Sequence, residues 1–183
     1  MAREIIRNAR LSDAHAIAAV HVSVSRTTYA NLLPAETLDQ FSVERRAKQW
    51  HKTIEMPDSA GIAVFVAEDA DNMIVGFGCC SRQRSEVLAA KGFTGEFQSI
   101  YVLPLAQGRG IGRTLMAEMA RYLSSLAISG GACWTLRDNE VARRFYEALN
   151  GEVVGEQAHG PSTAVALIEV AYGWRRLGSL LGE

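Results

Sequence analysis

Three glycines fall within five positions in Gln107-Gly108-Arg109-Gly110-Ile111-Gly112. Without Cβ atoms they let successive backbone N–H groups turn toward one point and let a ligand come close to the chain. Before them, Phe97, Ile100, Tyr101 and Val102 are aromatic or β-branched and run toward Pro104, the pattern of a strand that stops there. After them, Leu115, Met119, Tyr122, Leu123 and Leu126 recur at helical spacing. A strand, a glycine turn and a helix N-terminus make an anion site, most often for phosphate.

Two common phosphate patterns do not fit. The dinucleotide turn G-x-G-x-x-G needs a glycine where Arg113 stands. The P-loop needs a lysine after Gly112 and a glycine five residues before it, and the chain has neither. The spacing that fits is Q/R-x-x-G-x-G/A, met by Gln107, Gly110 and Gly112.

A second constellation lies in WTLRDNEVARRFYEALNG, residues 134–151. Asn139, Ala142 and Tyr146 stand at i, i+3 and i+7, so a helix carries them on one face. The small middle residue leaves room for a long thin ligand between an amide and a phenol. Val141, Phe145 and Leu149 form an adjoining apolar stripe expected to pack on a sheet, with Arg143, Arg144 and Glu147 outward. The plainer alternative makes Asn139 an N-cap and Tyr146 a boundary aromatic.

The elements that must hold these residues read in order. Ile5–Asn8 is a first strand, followed by a helix spaced by Ile17, Val20, His21 and Val24, with Ser12 and Asp13 as N-cap candidates. His21 falls on the apolar face, as a core or groove histidine. Pro34 opens a short helix, and Ser42 caps another whose Arg45, Arg46, Lys48 and Lys52 make a solvated face. Residues 62–68 and 73–80 form a hairpin around Asp71-Asn72, where Gly76 and Gly78 suggest a bulge or a close neighbour. Residues 81–92 read as a polar loop. Residues 132–136 are a strand, 139–149 a helix, and 152–157 and 164–171 two more strands joined through His159-Gly160-Pro161. Strand–helix–strand in the middle implies a parallel pair and the hairpins imply antiparallel pairs. The expectation is a mixed α/β fold: a mixed central sheet of about seven strands with helices on both faces. Period-two alternation would point Glu96, Gln98, Ile100 and Val102 one way.

At 183 residues the chain suits one domain, residues 1–183. A net charge of −1 gives no basic field for nucleic acid. No apolar run approaches the ~20 residues of a membrane span, and the N-terminus has no secretory apolar segment, so a cytoplasmic protein is expected. The pair Cys79-Cys80 suits no disulfide framework, and the four histidines form no ligand cluster, so no metal is expected.

N-x-x-A-x-x-F-Y about thirty residues after Q-x-x-G-x-G resembles the GNAT N-acetyltransferases. IIRNARLSDAHAIAAVHV, TTYANLLP and VALIEVAYGWRRL are similar to a bacterial subgroup of phosphinothricin-type and amino-group acetyltransferases. The resemblance implies a sheet whose fourth and fifth strands splay apart around acetyl-CoA, the cosubstrate. It implies pantetheine along Ile100, Tyr101 and Val102, and pyrophosphate held by Gln107, Gly108, Arg109, Gly110, Ile111, Gly112 and Arg113. Asn139 and Ala142 would meet the cofactor arm, and Tyr146 would lie by its sulfur. Related enzymes that acetylate ribosomal-protein N-termini often carry a glutamate five residues before the motif asparagine; here Trp134 stands there, against that substrate class. Gly151-Glu152 departs from the usual glycine-aromatic pair.

The implied reaction is direct acetyl transfer from a thioester to a primary amine of a small molecule or peptide. An amine of pKa ~10 must shed a proton first, a role the resemblance offers to Glu96 acting through water. A backbone N–H of the strand through Ile100 would meet the oxyanion, and Tyr146 would protonate the leaving thiolate. Cys79, Cys80 and Cys133 are expected to be buried and structural rather than acyl carriers. Tyr29 is an acceptor-side candidate, and the resemblance allows a homodimer. The competing reading is a non-catalytic acyl-CoA-binding or sensing module on the same fold. A nucleotide-binding α/β domain is opposed by the glycine spacing.

Overall fold

The structure is a computed structural model that describes residues 4–30, 32, 36, 38, 41–56, 58–159 and 167–182. Its seven strands are β1 (Ile5–Asn8), β2 (Ile62–Glu68), β3 (Ile74–Arg82), β4 (Gly95–Val102), β5 (Gly131–Leu136), β6 (Glu152–His159) and β7 (Leu167–Trp174). They form one sheet in the order β1-β2-β3-β4-β5-β7-β6. Only β4 and β5 run parallel; the other neighbours are antiparallel. The expected mixed sheet is therefore observed. Pro34, Gly160, Pro161 and residues 164–166 lie outside the described residues.

The main helices are α1 (Ala14–Tyr29), α2 (Val43–Ile54), α3 (Glu86–Ala90), α4 (Ile111–Ser125) and α5 (Glu140–Glu147). Strand alternation sorts them to the two faces. Val64, Val66, Phe77 and Cys79 point to one face and are covered by Ile17, Val20, Val24 and Trp50 of α1 and α2. Phe65, Ala67, Cys80 and Phe97 point to the other, against Leu115, Met116, Met119 and Leu123 of α4 and Tyr146 of α5.

The sequence reading needs correction in two places here. Residues 81–92 are not all loop: Ser85 accepts from the Leu88 amide and opens α3, because fully buried Leu88 packs with Phe93, Ala132 and Ala171. Asp13 does not cap α1 through its side chain. Its carboxylate instead accepts from the Arg10 amide at 2.7 Å and from Arg7 at 2.7 Å. Ser42 does cap α2, accepting from the Arg45 amide at 3.3 Å.

Candidate active site

β4 and β5 pair at two positions only, Gly95 with Gly131 and Glu96 with Ala132, and then part. Past that point β4 is laddered to β3 alone, from Phe97 to Val102. The gap opens into a cavity of about 500 Å³. Its walls include Ile100, Tyr101 and Val102 of β4, Trp134 of β5, and Ala142 and Tyr146 of α5, with Gln107, Gly108, Gly110, Ile111, Gly112 and Arg113 at one end.

That end is a cradle of free amides. Among the described residues, the N–H groups of Gly108 through Arg113 have no acceptor; the first amide of the helix with one is Thr114, bonded to the Gly110 carbonyl at 3.0 Å. These are the orphan donors of a helix start, with the positive end of the helix dipole behind them. Gly110 is the N-cap at φ +84° and Gly108 has φ +75°, a region costly for any residue with a Cβ. Gly112 serves a different need: a Cβ there would lie 2.9 Å from Phe145 Cε2. Gln107 donates from Nε2 to the Val102 carbonyl at 3.0 Å and ties the turn to the strand end. Arg113 lines the cavity and donates to the Ala148 carbonyl at 3.3 Å. Arg109 does not line it; exposed, it pairs with Glu4 at 3.6 Å.

The faces of β4 differ from simple alternation. Cys79 is opposite Ser99 but Cys80 is opposite Phe97, so Gln98 is an extra residue, a β-bulge. Phe97, Ile100 and Val102 consequently pack on the α4 side, while Tyr101 turns to the α1 side, its ring 4.6 Å from that of His21 and stacked on Phe77 at 5.3 Å. The expectation that Glu96 and Gln98 share a face with Ile100 and Val102 fails, because the bulge changes the phase of the strand between them.

On α5, Ala142 and Tyr146 line the cavity and Asn139 does not. Asn139 is buried and caps the helix, its Oδ1 accepting from the Ala142 amide at 3.1 Å. Tyr146 packs against Phe145, Tyr172 and Trp174, with its hydroxyl in hydrogen-bonding reach of Cys133. Burial, and then Cys133, hold this phenol protonated well above the ordinary tyrosine range. The expected apolar stripe packs in part: Leu149 is buried in the core and Phe145 leans on that core and on the turn at Gly112, while Val141 is 69% exposed. Arg143 and Glu147 are not simply outward either, since both hydrogen-bond the Tyr172 hydroxyl, at 3.1 and 2.6 Å. Trp174 fills the place beside Gly151, where a Cβ would approach within 2.8 Å.

Glu96 is buried. It is 6% exposed, and both of its oxygens are taken by Arg84: Nη2 to Oε1 at 2.7 Å, Nε to Oε2 at 2.9 Å, and the Arg84 amide to Oε2 at 3.1 Å. Three of roughly four lone-pair positions are thereby filled. Beside this pair, on the α1 and α2 side, is a smaller cavity of about 240 Å³. His21 forms part of its wall, its Nδ1 accepting from Trp50 Nε1 at 3.1 Å. Burial, with Arg46 adding to it, lowers the His21 pKa to about 4, so the ring is neutral at pH 7. Tyr29 reaches the main cavity from α1, its phenol held protonated by burial and by Tyr101. The three cysteines are buried and free. Burial pushes the thiols of Cys79 and Cys133 up to about 12, and that of Cys80 still higher, which suits packing and not nucleophilic attack.

The acetyltransferase (GNAT) family model matches residues 27–151, more than half of the chain. The uncharacterized N-acetyltransferase YuaI of Bacillus subtilis (strain 168) is 33% identical over 175 residues, covering 96% of this chain and 95% of its own. The chain belongs to the GNAT acetyltransferase family. Solved structures share the fold. The PaiA N-acetyltransferase of Thermoplasma acidophilum, in complex with coenzyme A, superposes with a TM-score of 0.69 at 18% identity over 94% of this chain and 99% of that one. A phosphinothricin acetyltransferase from Sinorhizobium meliloti, in complex with AcCoA, gives 0.69 at 20% identity over 93% and 87%. This acetyltransferase has no helix long and apolar enough to cross a membrane, and no group of three potential metal ligands, among its described residues.

Sequence reading missed Arg84, which sits in what read as a loop, and the inward role of Arg46 within a run of charges. A faint signal for Arg84 existed in a buried-looking acid, Glu96, on a strand otherwise free of charge.

Proposed function

We propose that this protein is an acetyl-CoA-dependent N-acetyltransferase of the phosphinothricin-type, amino-group subgroup, transferring acetyl directly to a primary amine. One observation carries the reading: β4 and β5 part, and at one end of the gap the backbone amides of a helix start, Gly108 to Arg113, stand without acceptors among the described residues. Such a cradle fits a pyrophosphate, and the apolar gap above it fits a thin acyl-pantetheine arm.

Acetyl-CoA supplies the activated acyl group; the chain's own residues do the rest. Amides of Gly108 to Arg113 hold the diphosphate, with Gln107 fixing the turn and Arg109 contributing its backbone N–H, its side chain being paired with Glu4. The free edge of Ile100, Tyr101 and Val102 aligns the arm and offers an N–H to the developing oxyanion. Ala142 leaves the space, and Asn139, outside the cavity wall, fixes the start of the helix that carries Ala142 and Tyr146. Tyr146 holds a proton where the thiolate leaves. Glu96 acts mainly by fixing Arg84, since a carboxylate with both oxygens bonded takes up a proton only after that pair opens.

Calorimetric titration with acetyl-CoA, followed by CoA release with a panel of primary amines, tests the reading. Binding and amine-dependent release are expected; binding without release for any amine would favour the sensing module.

A further inference from the structure

We propose that this chain sorts acyl-CoA donors by chain length and that Phe97 does the sorting: an acetyl group fits the closed end of the gap, and butyryl and longer groups do not. The inference rests on the acetyl-transfer reading above and names the range of its donor.

The gap between the strands has a definite end. Gly95 pairs with Gly131 and Glu96 with Ala132, and the Gly95 amide donates to the Gly130 carbonyl at 2.9 Å. Phe97 is the next residue of β4, so it stands where the two strands begin to part. It lines the donor cavity, is 3% exposed and packs on the α4 side of the sheet. An acyl-pantetheine arm that passes the amides of Gly108 to Arg113 and runs back along β4 points its acyl end at this ring. Arm and acyl group must share a cavity of about 500 Å³.

The ring has little room to yield. It meets the Trp174 ring edge-on, with centroids 5.5 Å apart and planes at 85°. Trp174 is itself held in place, its buried Nε1 donating to the Leu149 carbonyl at 2.9 Å. On β5, Gly131 has no side chain, and a Cβ there would lie 3.0 Å from Phe97 Cε2. The Phe97 ring thus occupies the room that this glycine leaves. A close-packed interior of this kind resists added volume, because an extra methylene forces side chains off their preferred rotamers.

The sulfur end of the interval is fixed by the same indole. Tyr146, the phenol assigned to the leaving thiolate, packs on Trp174 with centroids 5.9 Å apart. Phe97 and Tyr146 are therefore neighbours of one Trp174 ring, which confines the acyl group to the short apolar interval between them. One methylene too many in an apolar pocket is discriminated against by about 10- to 200-fold.

The test uses the full chain and needs no acceptor amine. Affinities for CoA, acetyl-CoA, butyryl-CoA and hexanoyl-CoA are measured by calorimetric titration. Acetyl-CoA is expected to bind at least as tightly as CoA, and butyryl-CoA about tenfold or more weaker than acetyl-CoA, with hexanoyl-CoA no better. Phe97→Leu shortens the floor and keeps it apolar, so the preference for acetyl over butyryl should fall by about tenfold. Phe97→Trp raises the floor, so acetyl-CoA should weaken relative to CoA. Each ratio is read within one protein, so a general loss of stability does not move it, and thermal melts show which variants are folded. Butyryl-CoA bound by the unaltered chain as tightly as acetyl-CoA would overturn the proposal. Unchanged ratios in the folded Phe97 variants would do the same, the Trp variant deciding alone should the Leu variant not fold. Relaxed selectivity in Tyr29→Ala with none in Phe97→Leu would place the barrier on the α1 side and overturn it as well. Failure of CoA itself to bind would instead sink the donor-site reading beneath it.

Discussion

Glu96→Gln separates two roles for one carboxylate. In the structure its oxygens accept three hydrogen bonds, all from Arg84, two of them from the guanidinium and one from the backbone amide. Glutamine keeps the shape and one acceptor oxygen, but presents an NH2 donor to a guanidinium donor. Hydrogen bonds to charged groups contribute about 1.5–3 kcal/mol. The Arg84 side chain is 69% exposed, so solvent screens part of that, and about 1–2 kcal/mol is the expected loss. For a chain of this length about 2–4 °C of Tm follows each kcal/mol, giving a fall of roughly 2–8 °C. With Arg84 released, kcat/KM should fall by a similar factor from pH 6 to pH 10, because positioning does not depend on how much free amine is present. A general base predicts otherwise: a large loss at neutral pH that shrinks as the amine deprotonates by itself. Differential scanning fluorimetry and a pH–rate profile on one preparation decide it. An unchanged Tm together with a loss confined to low pH would refute the positioning argument and return Glu96 to the role of base.

Other perturbations follow from single contacts. Gly110→Ala meets no neighbour within 4 Å but must hold φ near +84°, so it should cost about 1–2 kcal/mol in urea unfolding and weaken acetyl-CoA binding by calorimetry. Gly112→Ala should instead push on the Phe145 ring, with a loss of about 1 kcal/mol that Phe145→Leu relieves. Tyr146→Phe should lower kcat about 10- to 1,000-fold with little change in acetyl-CoA affinity; full activity with chemistry rate-limiting would make the phenol a packing group. His21, with a folded pKa of about 4 against about 6.5 unfolded, binds its proton more readily in the unfolded chain, so stability should fall as pH drops from 6.5 toward 4. His21→Asn should flatten that part of the curve of urea midpoint against pH.

Much of the fold was legible because it follows from periodicity. The run Ile62–Glu68 matches its strand, and Leu115, Met119 and Leu123 form the buried face of α4. The glycine turn and the α5 cap were legible because their residues are local in sequence: a turn needing positive φ announces itself in glycine, and a helix start in Asn139. The smaller cavity was not, because it is assembled from four separate segments, with His21, Arg46, Arg84 and Gln98 brought together by the fold. None of these has a neighbour in sequence that betrays its partner. Leu88 was overlooked for a related reason: one buried leucine in a short polar segment carries no period.

The bulge at Gln98 has the largest consequence of any feature that the sequence concealed. An extra residue in a strand forfeits ladder hydrogen bonds and persists only where something offsets them. Here the Gln98 side chain reaches back to β3, donating from Nε2 to Ser81 Oγ at 2.5 Å and accepting from Cys79 Sγ at 3.6 Å. The bulge is thereby pinned to one position, and that position lies where β4 leaves β5, since the last shared pair is Glu96 with Ala132. The same residue thus shifts the phase of the strand and stands in the walls of both cavities. Before it, Glu96 holds Arg84; after it, Ile100 and Val102 face the α4 core while Tyr101 meets His21. A regular strand would place Ile100 and Tyr101 on exchanged faces, burying a phenol under α4 and setting an aliphatic chain against the histidine. The two cavities meet at this strand, and Gln98, in the wall of both, is where its phase changes.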